Sequence, residues 1–145
     1  MIRVVNAKPE RMLHWLAGTA LKKGQFAVLD SGEAKAAAEN ITAATLLGLV
    51  MEDCDDAATA TIYPVIGTEF EFDIYQGGAV DEATAAMIGT AYDTYVDGAA
   101  GDGSGEGEHY LDLNDTSGGF VYLMSYNNNT KKAYGRISLP DCFIA

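Results

Sequence analysis

The sequence predicts a mainly β chain: a small β-barrel or β-sandwich with short helical turns and an N-terminal arm. Three observations predict it. The segment from Glu69 to Tyr75 alternates strictly, with Phe70, Phe72 and Ile74 pointing one way and Glu69, Glu71, Asp73 and Tyr75 the other. Short apolar, β-branched runs recur along the chain with turn residues between them, the spacing of barrels and sandwiches rather than of alternating helices and strands. The chain holds 16 Gly and only 3 Pro, so turns are well supplied while strands are rarely interrupted. At 145 residues it suits one core, since a domain of this size buries roughly 70% of the surface that its unfolded chain exposes. The division expected is 1–17 as an N-terminal arm or first strand, and 18–145 as a single β-rich domain with a flexible Gly/Asp loop at 97–108.

In order along the chain, Ile2, Val4 and Val5 give an apolar start, and Pro9 opens either a short helix through Met12, Leu13 and Leu16 or an extended arm. An arm ending in His14 and Trp15 gains order only against a neighbour, which makes it a candidate contact; the alternative is a first strand and turn packed on its own domain. If it is an arm, deleting Met1 to His14 leaves the body folded. Phe26 to Leu29 and Glu33 to Ala37 flank an Asp30-Ser31-Gly32 turn and read as a hairpin. The Ala-rich run from Ala36 to Ala44 contains Asn40, Thr42 and Thr45 and reads as a loop. Leu46 to Met51 reads as a buried strand in which Gly48 marks close packing or a bulge. After a polar loop from Asp53 to Ala58, Thr59 to Ile66 is a strand that Pro64 assigns to a sheet edge or a bend.

The second half opens with Asp81 and Glu82 capping a short helix through Ala86, followed by a strand over Ile88 to Val96. The low-complexity stretch beginning at Asp97 reads as an exposed loop. Strands then follow at Tyr110 to Leu113, Phe120 to Tyr126 and Ala133 to Leu139, the last two joined by the Asn127-Asn128-Asn129 turn.

The net charge of −12, from 21 acidic and 9 basic side chains, disfavours nucleic acid as a partner, because such binding rests on Lys and Arg neutralising phosphates. The basic residues concentrate at Arg3 to Lys35 and Lys131 to Arg136, a separation that orients a molecule on a partner. No apolar run approaches the ~20 residues that span a bilayer, so no membrane partner is expected. Cys54 and Cys142 each follow an Asp, which raises a thiol pKa; free structural thiols are the expectation, with one bridge left open.

The sequence carries no complete catalytic or metal-binding signature. The acidic runs at Glu52 to Asp56 and Asp97 to Glu108 carry oxygen ligands, but Asp97, Ala99 and Gly101 fail the one-three-five pattern of a Ca²⁺ loop. His14 and His109 lack a second ligand at zinc spacing. Ser104 lies in the acidic loop, not on a strand-to-helix elbow, and no phosphate-cradling Gly-Lys loop is present. Glu69 and Glu71 share a strand face, a pairing that acid–base chemistry uses but solvated strands commonly show. Neither hairpin tip carries the exposed Lys of a lipoyl or biotinyl carrier, and Lys131 lacks the Met-Lys-Met context. Neither an enzyme nor a cofactor is expected.

From Leu21 to Tyr75 the order of elements resembles that of small phage capsid decoration, or cement, proteins. The matching residues are the Lys22-Lys23-Gly24 turn, the strand FAVLD, the small-residue hairpin SGEAKAA, the strand LLGLVMED and a β-branched strand after an acidic loop. Secondary similarity lies in MIGTAYDTYVDG and in the closing KKAYGRISLPDCFIA. The resemblance covers roughly the first half as a pattern of elements; the Gly/Asp loop and the Tyr-rich second half have no counterpart in it. It implies a virion protein on the capsid exterior, present in the host cytoplasm during assembly. Such a protein binds the major capsid protein lattice, often as a homotrimer, and stabilises it. The partner contacts expected are Arg3, His14, Trp15, Tyr75, Tyr92 and Tyr95. A tail or head-fibre subunit, or a ligand-binding β-barrel, are the alternatives.

Overall fold

A computed structural model describes residues 1–37, 45–97 and 107–137, and its strands form two antiparallel sheets. The strands are β1 (Ile2–Val4), β2 (Leu13–Leu16), β3 (Phe26–Asp30), β4 (Glu33–Ala36), β5 (Leu46–Val50) and β6 (Thr59–Pro64). They continue as β7 (Phe70–Asp73), β8 (Ala91–Val96), β9 (His109–Asp112), β10 (Val121–Asn127) and β11 (Lys132–Ile137). Single 3₁₀ turns occupy Pro9–Arg11 and Ala85–Met87. The mainly β architecture read from the sequence is the one observed.

The first sheet has the order β1-β7-β11-β10-β8-β9 and the second β2-β6-β5-β3-β4. Both curl. In the second, edge meets edge through a parallel bridge between Ala17 and Ala34, fixed by the Gly18 amide donating to the Ala34 carbonyl at 2.8 Å. In the first, β9 returns to the residues after β7: Ile74 bridges Leu111, and the Tyr75 amide donates to the Leu111 carbonyl at 2.9 Å.

The larger core lies between the sheets, with Phe26 at its centre. Its ring meets Phe70 edge-on at 5.4 Å and tilts against Phe72 at 6.1 Å and Phe120 at 6.2 Å, the offset geometries that aromatic quadrupoles prefer. The smaller core fills the inside of the five-stranded sheet with Ala17, Ala27, Ala34, Ala60, Leu21, Leu47, Val50 and Ile62. Alanines suit that position because a narrow curled sheet leaves little room within. β5 contributes Leu46 and Leu49 to one core and Leu47 and Val50 to the other, so both its faces are covered. That is why its sequence is a continuous apolar run rather than an alternation.

Gly48 carries both features expected of it. A Cβ there would strike the Tyr63 carbonyl and come within 2.9 Å of Ile62 Cγ2, and the register beside it shifts from Ala27↔Gly48 to Val28↔Leu46. The β3–β4 hairpin turns on Ser31 and Gly32, with φ of 55° and 81°. This is the doubly left-handed geometry that matches sheet twist.

Several expectations are corrected. β6 is internal to its sheet, not an edge. Pro64 is tolerated because the β2–β6 register would place it opposite Arg11, where the chain has already turned into 3₁₀ structure, so no ladder bond is lost. Of the two readings of the 1–17 segment, arm or first strand, the strand is the one observed: Ile2 is 1% exposed, β1 pairs with β7 from Ile2↔Phe72 to Val4↔Phe70, and β2 pairs with β6. Burial of one isoleucine and a ladder along β7 supplies what a neighbour would otherwise supply. Asp81 and Glu82 cap no helix; the turn over Ala85–Met87 begins after Thr84, which makes no side-chain cap, and Gly89, at φ 84°, separates it from β8. The loop from Ala36 to Ala44 falls mostly outside the described residues, as do 98–106 of the acidic loop, Leu139 and Cys142.

Candidate functional site

The outer face of the six-stranded sheet gathers the features that a binding surface needs. On β8 and β9, Tyr95 pairs directly with Tyr110 while their neighbours Thr94 and Leu111 turn inward. Where β9 meets the residues after β7, Tyr75 comes alongside. Its ring stacks on Tyr95 with centroids 3.8 Å apart at 18°, and tilts against Tyr110 at 6.2 Å and 53°. Each of the three rings is half-buried.

Carboxylates rim this platform. The Tyr110 hydroxyl donates to Glu108 at 3.1 Å, and burial together with Glu108, Asp97 and Asp73 pushes the phenol above its ordinary pKa. Asp73 lies along β7. Burial works to raise its carboxyl, but hydrogen bonds from Lys132 and from the Met1 ammonium, at 2.7 Å, outweigh burial and hold it at about 2. Arg3 reaches across from β1 to Glu71 at 3.0 Å and Asp73 at 3.5 Å. The Tyr134 hydroxyl, from the strand on the other side, donates to Glu71 at 3.1 Å. Flat aromatic faces beside fixed carboxylates are suited to holding Lys and Arg side chains of a partner through both cation–π and ionic contact.

Of the contacts expected from the sequence, Arg3, Tyr75 and Tyr95 share this face. His14 and Trp15 belong to the other sheet. His14 is exposed on β2, while the half-buried Trp15 packs on the smaller core and its indole N–H donates to the Gly32 carbonyl at 3.0 Å. Tyr92 is not a surface residue: it is 4% exposed, opposite Val121 in the larger core. Three positions separate it from Tyr95, and side chains three apart on a strand point to opposite faces. Tyr110 and Tyr134 also stand on this face and are not among the contacts expected from the sequence. The alternation His109-Tyr110-Leu111-Asp112 carries the signal for Tyr110, because Leu111 must face the core. On β10, Tyr122 and Met124 are exposed at 40% and 47%, beside the register shift between Leu123 and Ser125.

Of the groups that acid–base chemistry would need, Glu69 and Glu71 both bear on the Tyr134 phenol, and His109 lines another cavity. Glu71 is engaged by Arg3 and Tyr134, while Glu69 and His109 line different cavities. His109 is 1% exposed, its Nδ1 accepting the Phe26 amide hydrogen at 3.1 Å, and burial, then the nearby Met1 ammonium, lower its pKa to about 4. Among the described residues no three His, Cys, Asp or Glu side chains gather as metal ligands. Cys54 is a free, half-buried thiol whose pKa is raised by burial and by Asp55. Lys131, near the β10–β11 tip, is ion-paired with Glu82 at 2.9 Å. No protein-family model matches the chain, and no curated protein matches it.

Proposed function

We propose that the chain is a structural decoration subunit that binds the outer surface of a phage capsid lattice and stabilises it, acting as a homo-oligomer, with a trimer favoured, on the major capsid protein. The observation that carries this reading is the Tyr75–Tyr95–Tyr110 platform with its acidic rim. Interfaces concentrate aromatic side chains at the centre and charged groups at the rim, and three tyrosines held half-open on one sheet face fit that anatomy. The element order from Leu21 to Tyr75, with its resemblance to cement proteins, supports the same reading. Modest contacts suffice for such a role, because subunits linked side by side on a lattice gain strength from multivalency.

The test is to mix purified protein with undecorated capsids and measure saturable binding at lattice positions, with the Tyr75→Ala/Tyr95→Ala variant alongside. Binding by the native chain and reduced occupancy of the variant support decoration. Protein that ignores capsids but co-purifies with tails belongs to a tail or head-fibre assembly, and decoration is then abandoned.

A further inference from the structure

A second feature lies at the opposite end of β7 from the tyrosines, where the β1–β2 connection, the β6–β7 turn and β11 converge on a cleft of about 250 Å³. The residues that matter are Lys8, Arg11, Tyr63, Thr68, Glu69 and Arg136. They come from both of the basic runs in the sequence, which the fold brings together here.

Arg11 is held in place. Its guanidinium donates to the Ile66 carbonyl and, at 3.3 Å, to the Thr68 hydroxyl, and its central carbon lies 5.4 Å from the centroid of the Tyr63 ring. Tyr63 is 1% exposed, and its hydroxyl accepts the Lys8 amide hydrogen at 2.9 Å. That bond uses the oxygen as acceptor; among the described residues nothing accepts the hydroxyl proton. The phenol proton is thus left to be donated into the cleft that Tyr63 lines. Lys8 and Arg136 are exposed at the cleft.

The charge balance sharpens the point. In a chain with 21 acidic side chains against 9 basic ones, Arg3, Lys35, Lys131 and Lys132 all hold a carboxylate. Among the described residues, Lys8, Arg11 and Arg136 form no ion pair, as is also true of Lys22 and Lys23, but these three share one cleft, with Glu69 as its carboxylate. Three cations against one carboxylate make a local positive site on a strongly negative molecule. Its volume falls below the ~300 Å³ at which pockets for whole small molecules begin, and suits one or two side chains.

We propose that this cleft receives an acidic segment of the protein partner, with Asp or Glu carboxylates seated between Arg11 and Arg136, the Tyr63 hydroxyl donating to one of their oxygens and Lys8 closing over them. The net charge of −12 opposes an extended polyanion such as nucleic acid, and Glu69 in the wall opposes a dianionic phosphate. A short run of carboxylates on a protein meets neither obstacle to the same degree. That the partner is a capsid subunit rests on the docking reading above; the carboxylate chemistry does not.

The experiment is fluorescence anisotropy of a labelled peptide of alternating Glu and Asp against the full chain, with the Gln/Asn version of the peptide as control. Binding of the acidic peptide alone is expected, weakened at least about tenfold, a change of about 1.4 kcal/mol, in Lys8→Glu/Arg136→Glu. The melting temperature should stay unchanged because both side chains are exposed. Tyr63→Phe should weaken binding while leaving the ring contacts in place. Equal binding by the charge-reversed variant, binding of the amide peptide, or displacement by inorganic phosphate as readily as by unlabelled peptide overturns the inference. On capsids, native occupancy by the charge-reversed variant also overturns it while leaving decoration intact. Peptide binding by a native chain that ignores capsids removes decoration and leaves the cleft's chemistry standing.

Discussion

The rings of Tyr75 and Tyr95 lie nearly parallel, 3.8 Å apart, across the seam where the six-stranded sheet curls back on itself. Tyr75 follows β7 and Tyr95 belongs to β8, so the stack joins elements that share no ladder in the sheet order. It closes the seam and builds the platform at once, and the two roles are separable by measurement.

A double-mutant cycle over Tyr75→Ala and Tyr95→Ala should return a coupling of about 0.5–1.5 kcal/mol in denaturant unfolding. Loss of capsid occupancy should exceed what that destabilisation explains, because Tyr110 remains to hold the seam. Occupancy that merely tracks stability would assign the stack to the fold alone.

Ile2→Ala should destabilise the chain by about 2–4 kcal/mol, the cost of a cavity at a buried aliphatic site, since Ile2 is 1% exposed in the larger core. Removal of residues 1–14 should cost more, because it also strips β1 from β7 and takes half of β2. A truncated protein with the melting temperature of the full chain would show the segment to be an arm after all.

Acid should weaken the fold in two windows. His109 has its pKa lowered to about 4 from an ordinary 6.5, so the unfolded chain takes up its proton first. The stability it contributes is complete above about pH 6.5 and falls as pH drops towards 4, by roughly 3 kcal/mol. Asp73, held at about 2 against an ordinary 3.8, contributes stability that is present above 3.8 and lost as pH falls through 2. Urea midpoints measured across this range should decline in both windows, and His109→Gln should flatten only the upper one.

Gly48→Ala should be severely disruptive, about 1–3 kcal/mol or more, because its Cβ collides with the backbone of Tyr63, which cannot step aside without breaking the β5–β6 ladder. Gly32→Ala meets open space and only the cost of a left-handed φ of 81°, about 1–2 kcal/mol. Thermal melts of the two variants should rank them in that order.

Cys54 should react slowly with a thiol reagent at neutral pH, since burial and Asp55 both disfavour its thiolate. Peptide mapping after timed alkylation checks this, and a rate matching a free thiol in solution would contradict it.

Fold class, and the local elements that rest on neighbouring residues, are legible in the order of the amino acids. Glu69 to Tyr75 alternates, and its buried positions are those named; Asp30-Ser31-Gly32 turns; Gly48 allows both a bulge and a close approach. These depend on backbone geometry within a few residues, which side-chain type reports directly. Tertiary structure decided which faces stayed open. Alternation shows that a strand has two faces, not which one a distant strand will cover, so Tyr92 read as a contact and lies in the core, while Tyr110 was passed over. It also decided that residues 2–4 pair with 70–72, and that cations some 125 positions apart, Arg11 and Arg136, line one cleft. Such meetings are set by how two curled sheets close, a property of long-range pairing that no local pattern carries.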